Sequence, residues 1–400
     1  MMVGLLPLLS QIDVEPVGGD NSARRMGSMH HDLPMREEGK EVLGEMADNL
    51  KKKMQNLRNS RGISDLDLKE LAKKEFEELK QWRHKKHSAA AAAVVSHNDP
   101  VPVLPGRRPG VIVLGMHRSG TSMLSGLMVQ GSGYNVGGPL IGAHFDNEKG
   151  FFERIDVVLQ NDEFLKSQRM WWSSGVRGYD GDKAFKDLND KKIKFEEGNK
   201  ALSFLNSQES VPYLQKDPRM CITLKTWLKL LSHEPAVLFT YRHPLEVALS
   251  LVHREKFPLE VGLRLWIVYN MRGVENSRGL CRVTSSNDDL LANPLGEVQR
   301  IVLDLTTKCG VPEAPREITQ EDVDKFIDPN LQHGKKELGA GKGTIETYNG
   351  CDIPEYDSDY QPDTPDQQRE RMLYIISMKI HCDFKSGKAY EDDYEFPPLP

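Results

Sequence analysis

The feature that most constrains this chain is an apolar run that passes directly into a glycine loop, in the segment Gly110–Leu124 (GVIVLGMHRSGTSML). Val111–Leu114 is apolar at every position, which is typical of a strand buried on both faces of a parallel sheet. Gly115 and Gly120 permit a tight backbone turn, and the unpaired amides at the start of the following helix attract an anion. The segment therefore predicts a strand, a phosphate-binding loop and a helix.

The loop differs from that of nucleoside-triphosphate-dependent kinases in its cation. Gly115 and Gly120 match the pattern G-x-x-x-x-G-K-[ST], but Thr121 occupies the lysine position. The cation within the loop is Arg118, and the next apolar strand ends in Arg242 instead of a magnesium-binding aspartate. Because a kinase needs that metal to neutralise the transferred phosphoryl group, the pattern favours a donor with fewer charges.

A second segment, Tyr241–Ser250 (YRHPLEVALS), predicts another phosphate contact. Arg242 follows a predicted strand, and Pro244 suits the first turn of a helix. Ser250 comes about two helical turns later. The planar fork of an arginine binds phosphate, and a serine hydroxyl adds a further donor.

Together these segments resemble the sulfotransferase superfamily, whose donor is 3'-phosphoadenosine 5'-phosphosulfate. The likeness is to a microbial branch and runs from about residue 109 to residue 333. It implies that the first loop binds the 5'-phosphosulfate, whereas Arg242 and Ser250 bind the 3'-phosphate. Where relatives have a tyrosine before an Asp-Asp-Leu-Leu motif, this chain has Asn287. The motifs that carry the likeness are GMHRSGTS (115–122), GFFE (150–153), KDPR (216–219), RHPLEVA (242–248) and DDLL (288–291).

The catalytic residues are implied by the same resemblance. Sulfuryl transfer to a hydroxyl group needs a base for the departing proton and cations for the charge that moves onto the donor. Glu153 is implied as the base, with His144 and Glu148 as alternatives, and a purely structural Glu153 paired with a cation is a further alternative. Lys216 is implied to contact the donor sulfate, and Arg118 to neutralise the leaving phosphate. The implied nucleotide-binding residues are His117, Arg118, Ser119, Gly120, Thr121, Ser122, Arg242 and Ser250.

The alternation of predicted strands and helices indicates an α/β fold, with a parallel sheet of the P-loop type and helices on both faces. Ligands of such folds bind at the carboxyl ends of the strands, where both phosphate motifs fall. The predicted strands are Val111–Leu114, Tyr213–Gln215, Ala236–Tyr241 and Leu280–Thr284. The predicted helices are Thr121–Gln130, Glu153–Lys166, Leu245–Arg254, Leu259–Arg278, Leu295–Thr307 and Arg369–Phe384.

Five regions are predicted along the chain. Residues 1–35 are expected to be disordered, 36–87 to form a charged helical extension that could self-associate, and 88–108 to be a linker. The sulfotransferase-like domain is expected at 109–333. Residues 334–400 are expected to hold a basic loop, a last helix and an acidic, proline-rich tail.

Composition limits the partners and the compartment. A net charge of −6 argues against a nucleic-acid binder, whose footprint is a basic stripe. The five cysteines include no Cys-x-x-Cys pair, so no metal site is expected. The chain has neither an Asn-x-Ser/Thr sequon nor an apolar segment long enough to span a bilayer. These features favour a cytoplasmic protein, the alternative being a Golgi protein whose anchor is missing from this chain.

Three function classes remain open at this point. The first is an O-sulfotransferase that acts on a carbohydrate or a small hydroxylated metabolite. The second is a P-loop nucleotide kinase, which the missing lysine and metal-binding acid oppose. The third is a non-catalytic relative that binds a nucleotide. Trp171 and Trp172 lie in an insertion on the expected acceptor side, where they either stack on a sugar ring or belong to the core.

Overall fold

The computed structural model describes residues 108–142, 149–327, 343–355 and 364–400. All the described residues belong to one compact unit, Asp99–Pro400. The predicted N-terminal disorder, the charged helices and the basic loop lie outside the described residues. The same holds for His144 and Glu148, the two alternatives for the base.

A four-stranded parallel sheet forms the centre of the domain, in the order β2–β1–β3–β4. These strands are β1 (Gly110–Leu114), β2 (Tyr213–Lys216), β3 (Ala236–Tyr241) and β4 (Arg282–Ser286). Every residue of β1, β2 and β3 is buried. The predicted α/β fold with a parallel sheet is therefore confirmed.

Eleven helices accompany the sheet within the described residues. The first, α1 (Thr121–Gly126), continues as a π-helical segment over Leu127–Gly131. Short 3-10 turns lie at Val176–Gly178, Gln208–Ser210 and Lys388–Tyr390. The other helices are α2 (Ile155–Ser167), α3 (Gly181–Asn189), α4 (Glu196–Leu205), α5 (Met220–Leu228), α6 (Pro244–Glu255), α7 (Leu259–Asn276), α8 (Asn287–Ala292), α9 (Pro294–Thr307), α10 (Gln320–Phe326) and α11 (Pro365–Ser386).

The sheet separates two hydrophobic cores because alternate side chains of a strand point to opposite faces. Val111 and Val113 of β1 pack in one core with α1, α9 and α10. Ile112 and Leu114 pack in the other, larger core with α5, α6, α7 and α11. Helices thus cover both faces, and the functional loops are left at the carboxyl ends of the strands.

The structure differs from the predicted elements in several places, and helices α5, α8 and α10 were not predicted at all. The predicted insertion after Trp172 contains the two helices α3 and α4. Strand β4 begins at Arg282, two residues later than predicted, because its partly polar sequence carries little apolar signal. Helix α11 begins at Pro365, where the side chains of Thr364 and Gln367 form a capping box.

A β-hairpin follows the domain, formed by β5 (Thr344–Tyr348) and β6 (Cys351–Pro354). A disulfide between Cys351 and Cys382 joins this hairpin to α11, and a second one between Cys281 and Cys309 joins the start of β4 to the end of α9. The sequence analysis did not predict either bond. Among the described residues, no helix combines the length and the apolar character that crossing a membrane requires.

Candidate functional site

The loop between β1 and α1 has a backbone that only glycine fits at two positions. A Cβ atom on Gly115 would lie 2.5 Å from the carbonyl oxygen of Thr240 on the neighbouring strand. Gly120 has a φ of +81°, and a Cβ atom there would lie 2.2 Å from Oδ1 of Asn287. Both contacts are far shorter than atoms tolerate, so the two glycines hold the loop against β3 and α8.

The start of α1 is suited to an anion. Gly120 is the N-cap residue, and no side chain among the described residues caps the first amides of the helix. Uncapped amides and the positive end of the helix dipole favour a negatively charged group. The hydroxyl group of Ser119 is also buried without a partner among the described residues. The predicted phosphate-binding loop thus has the local geometry that an anion needs.

Arg118, Arg242 and Ser250 lie together, as the sequence motifs require. Nε of Arg118 donates a hydrogen bond to Oγ of Ser250 at 2.9 Å. Nη1 of Arg242 donates to the carbonyl oxygen of Arg118 at 3.3 Å. Nε of Arg242 also pairs with Oε2 of Glu246 at 2.6 Å. Glu246 lies one turn before Ser250 on α6. The two predicted phosphate sites are therefore connected directly.

Arg118 has an unusual backbone conformation for a residue with a side chain, with a φ of 69°. Such left-handed residues cost about 1 kcal/mol or more, and they persist where the surrounding structure holds them. Here the hydrogen bonds of the Arg118 side chain and carbonyl group provide that support. The guanidinium group is thereby fixed between the loop and α6.

On the other side of the loop, Glu153 and Lys216 form a buried ion pair. Nζ of Lys216 lies 2.6 Å from Oε1 of Glu153, and it donates a second hydrogen bond to Oγ of Ser122 at 3.1 Å. The two side chains are only 1% and 7% exposed. Burial raises the pKa of Glu153 above its ordinary value, and the charge of Lys216 opposes this rise.

A polar network behind this pair fixes the end of β2. Asp217 accepts hydrogen bonds from Nη1 of Arg219 at 3.0 Å and from Nδ2 of Asn161 at 2.8 Å. Arg219 also pairs with Asp162 on α2 through its Nε at 2.9 Å. Asp217 and Asn161 are fully buried, so the network holds the residue that directly follows Lys216 in place.

His117 lies beside the loop in an aromatic setting. The centroid of its imidazole ring is 4.8 Å from that of Trp172 and 5.5 Å from that of Tyr269. Its Nε2 atom is buried and has no hydrogen-bond partner among the described residues. Burial lowers the pKa of His117 well below its ordinary value, and nearby cations, Arg219 first, lower it further.

Three residues of this site make contacts that the sequence did not predict, and one of them, Tyr269, was not singled out at all. Trp172 and Tyr269 contact His117, and Asn287 lies against Gly120. The sequence did single out Trp172 and Asn287, but nothing in a local pattern indicates their contacts. Tyr269 lies within α7, where its spacing is typical of a core residue.

Within the described residues, no group of three or more His, Cys, Asp and Glu side chains could hold a metal ion. The acid closest to the end of β2 is Asp217, which is held by Arg219 and Asn161. The first residue after β3 is Arg242. The cations at the loop are thus arginine and lysine side chains, and Lys216 and Arg242 are each paired with a carboxylate.

Comparison with solved structures found two sulfotransferase domains, both at low similarity to this chain. No protein-family model matches the chain, and no curated protein matches it either. The sulfotransferase domain from the curacin biosynthetic pathway is 14% identical, with a TM-score of 0.30 over 58% of this chain and 79% of that one. The sulfotransferase domain from the Synechococcus PCC 7002 olefin synthase is 15% identical, with a TM-score of 0.36 over 76% of this chain and 100% of that one. At these values, membership of the family stays a prediction.

Proposed function

We propose that this chain is a sulfotransferase that moves a sulfuryl group from 3'-phosphoadenosine 5'-phosphosulfate to a hydroxyl group of an acceptor. The observation that carries the proposal is that the glycine loop contacts two separate groups of side chains, each of which contains a cation. Arg118 joins the loop to Arg242 and Ser250, whereas Ser122 joins it to Lys216 and Glu153. A donor with phosphate at one end and an activated sulfuryl group at the other matches both sites.

On this proposal, the nucleotide is held at both of its phosphate groups. The amides from Ser119 to Ser122 and the guanidinium group of Arg118 bind the 5'-phosphate. Arg242 and Ser250 bind the 3'-phosphate. When the nucleotide binds, Arg242 releases Glu246 and pairs with this phosphate instead, because a doubly charged phosphate is the stronger partner of a guanidinium group.

Transfer itself is assigned to Lys216 and Glu153. The donor supplies a sulfuryl group bonded to its 5'-phosphate oxygen, and that bond breaks as the acceptor oxygen bonds to sulfur. Lys216 and Arg118 stabilise the negative charge that moves onto the phosphate oxygen. Glu153 takes the proton of the acceptor hydroxyl, since its carboxylate is the base that lies beside Lys216.

One assay separates this proposal from a kinase and from a non-catalytic relative. The purified protein is given the radiolabelled sulfate donor and a panel of phenols, alcohols and sugars, with and without a divalent-metal chelator. We expect labelled product in both conditions, and loss of product in the Arg242→Ala variant at limiting donor. Activity with ATP that depends on magnesium would move the chain to the kinases. Tight binding of adenosine 3',5'-bisphosphate without turnover of any acceptor would make it a non-catalytic relative.

We also propose that the protein matures in an oxidising compartment, which is the Golgi alternative of the sequence analysis. Two disulfides support this, because such bonds are rare where glutathione keeps thiols reduced. Alkylation of the denatured, unreduced protein from its own source, followed by mass measurement, counts the free thiols. We expect one labelled thiol, from Cys221. Five labelled thiols would return the protein to the cytoplasm.

A further inference from the structure

Three partly exposed aromatic side chains, those of His117, Trp172 and Phe257, form a wall beside the glycine loop, and the fully buried Tyr269 supports it. Trp172 contacts His117 at 4.8 Å between ring centroids and Phe257 at 5.9 Å. The hydroxyl group of Tyr269 donates a hydrogen bond of 2.7 Å to the carbonyl oxygen of Trp172. The bond fixes the backbone of Trp172, so the wall has a defined shape before any ligand binds.

The wall contains one polar atom with an unsatisfied hydrogen-bonding capacity. Nε2 of His117 is buried and has no partner among the described residues. Leaving a buried polar group without a partner costs about 1–3 kcal/mol. His117 is adjacent to Arg118 in the loop, so a partner supplied by a bound molecule would lie at the reaction site.

The charges around His117 keep its imidazole neutral. Burial lowers its pKa, and the positive charges of Arg219, Lys216, Arg254 and Arg118 lower it further in that order. A neutral imidazole carries one donor and one acceptor nitrogen. It can therefore hydrogen-bond to a hydroxyl group in either direction, without adding another positive charge to a site that is already cationic.

We propose that His117 binds the acceptor, that its Nε2 hydrogen-bonds to the acceptor hydroxyl, and that the acceptor is a phenol whose ring packs on the aromatic wall. The proposal rests on the proposed sulfotransferase function and names its substrate class. Packing of aromatic rings adds about 0.5–1.5 kcal/mol beyond the area that is buried. The ring therefore supplies affinity, and Nε2 supplies orientation.

The charges of the site distinguish a phenol from an aliphatic alcohol or a sugar. A phenolic hydroxyl has a pKa of about 10, whereas the pKa of an aliphatic hydroxyl is far higher, close to that of water. Lys216 and Arg219 stabilise the phenolate as the proton leaves. A carboxylate such as Glu153 is a weak base, so it removes a phenolic proton far more readily than an aliphatic one.

His117→Phe tests the hydrogen bond, because it keeps a flat ring next to Trp172 and Tyr269 and removes Nε2. The matched control is His253→Phe, which alters an exposed histidine on α6. With 2-naphthol as acceptor, we expect the KM of His117→Phe to rise about tenfold, as for the loss of one hydrogen bond. The affinity for adenosine 3',5'-bisphosphate should change less than twofold in both variants, and the control should keep the KM of the wild type.

A second measurement does not depend on turnover. Calorimetry of 2-naphthol binding to the complex with adenosine 3',5'-bisphosphate should show the same tenfold loss in His117→Phe. Trp172→Leu should weaken naphthol binding further, whereas cyclohexanol, which has no aromatic ring, should bind weakly to all three proteins. Binding of naphthol that depends on His117 would support the inference even if no sulfate were transferred, in which case the proposed function alone would fail.

The inference alone would fail in two other cases. Transfer of sulfate to sugars but not to phenols, with a wild-type KM in His117→Phe, would remove the phenol and the assigned role of His117. A loss of bisphosphate affinity in His117→Phe, with an unchanged KM for naphthol, would return His117 to the nucleotide site. In both cases the wild-type protein would still be a sulfotransferase.

Discussion

Two ion pairs lie on opposite sides of the same glycine loop, with the same distance of 2.6 Å between their charged atoms. Their surroundings differ. Lys216 and Glu153 are 1% and 7% exposed, whereas Arg242 and Glu246 are 18% and 16% exposed. Distance alone therefore says little about the role of a pair, and access to solvent says more.

The difference in burial separates a fixed pair from an exchangeable one. A buried pair whose partner is removed leaves an uncompensated charge, at a cost of about 3–5 kcal/mol. Pairs that solvent reaches are worth about 0–1 kcal/mol, so they open at little cost. On the proposed function, the buried pair holds the reacting groups in place, and the more exposed pair releases Arg242 to the ligand.

The largest effect is expected when the buried pair is broken. Glu153→Gln should lower kcat about 10²–10⁴-fold, because it removes the base and keeps the shape of the side chain. It should also lower the free energy of unfolding, by as much as about 3–5 kcal/mol, because it leaves the buried Lys216 side chain without its carboxylate partner. Turnover must therefore be measured per folded molecule, with circular dichroism as the check.

The double variant Glu153→Gln with Lys216→Met separates the two effects. Replacing a buried pair by groups of similar volume is often neutral, so stability should recover and turnover should not. Burial also raises the pKa of Glu153 above 4.5, so kcat of the wild type should fall as the pH drops through a value above 4.5. Recovery of turnover in the double variant would show that Glu153 serves only to pair with the lysine.

The exchangeable pair is tested by Arg242→Ala. Loss of a charged hydrogen-bond partner should weaken the binding of adenosine 3',5'-bisphosphate by about 1.5–3 kcal/mol, which is about 10–150-fold. The binding of adenosine 5'-phosphate should change little, because that ligand has no 3'-phosphate. Calorimetry with both nucleotides measures the difference. An equal loss for the two nucleotides would contradict the assignment of Arg242 to the 3'-phosphate.

The stability of the protein should depend on pH through a buried histidine near the Arg242–Glu246 pair. His381 on α11 packs against His243, the residue after Arg242, with 5.2 Å between ring centroids. Burial lowers the pKa of His381 from 6.5 to about 3. A histidine whose folded pKa is lowered contributes full stability above pH 6.5 and loses it as the pH falls towards the folded pKa.

The expected size of this pH effect follows from the lowered pKa of His381. Between pH 7.5 and pH 5, this histidine should cost the wild type about 2 kcal/mol of unfolding free energy, since one pKa unit corresponds to about 1.4 kcal/mol. His381→Gln should lack this part of the pH dependence, and His253→Gln, at an exposed site, should keep it. Denaturant unfolding at the two pH values measures both. An unchanged dependence in His381→Gln would mean that this histidine is already charged in the folded protein.

The smallest effect is expected for Glu246→Gln, which should strengthen nucleotide binding where Arg242→Ala weakens it. Glu246→Gln removes the competitor of the 3'-phosphate for Arg242, so the affinity for adenosine 3',5'-bisphosphate should rise about two- to fivefold, the range that a partly exposed pair allows. Calorimetry in low salt measures the gain. A weaker affinity would show that Glu246 orients Arg242 towards the ligand and does not compete with it.

The sequence predicted most of the strands and long helices that carry a continuous apolar signal, although it missed the apolar, buried helix α5 (Met220–Leu228). Strand β3 occupies the predicted residues, Ala236–Tyr241, because six buried positions give an unbroken apolar signal. Strand β4 was placed two residues early because an edge strand such as Arg282–Ser286 carries polar residues. Helices α3 and α4 were missed because their charged sequences resemble a loop.

The site could be predicted only as far as motifs at strand ends allow. Parallel strands that end on one edge of a sheet bring Arg118, Lys216 and Arg242 together. The pairing of Glu153 with Lys216 joins residues that lie 63 positions apart, and the contact of His117 with Trp172 depends on the path of an insertion. Such contacts are set by tertiary packing, which a local pattern does not contain.

A consequence for folding experiments follows from the thiol of Cys221. This cysteine lies at the start of α5, and its sulfur accepts a hydrogen bond of 3.2 Å from the amide of Gly115. Burial raises its pKa to about 12, so the folded protein should react slowly with alkylating reagents. The other four cysteines are paired. The rate of thiol labelling in the oxidised protein therefore reports how often the structure beneath the glycine loop opens, with no engineered probe.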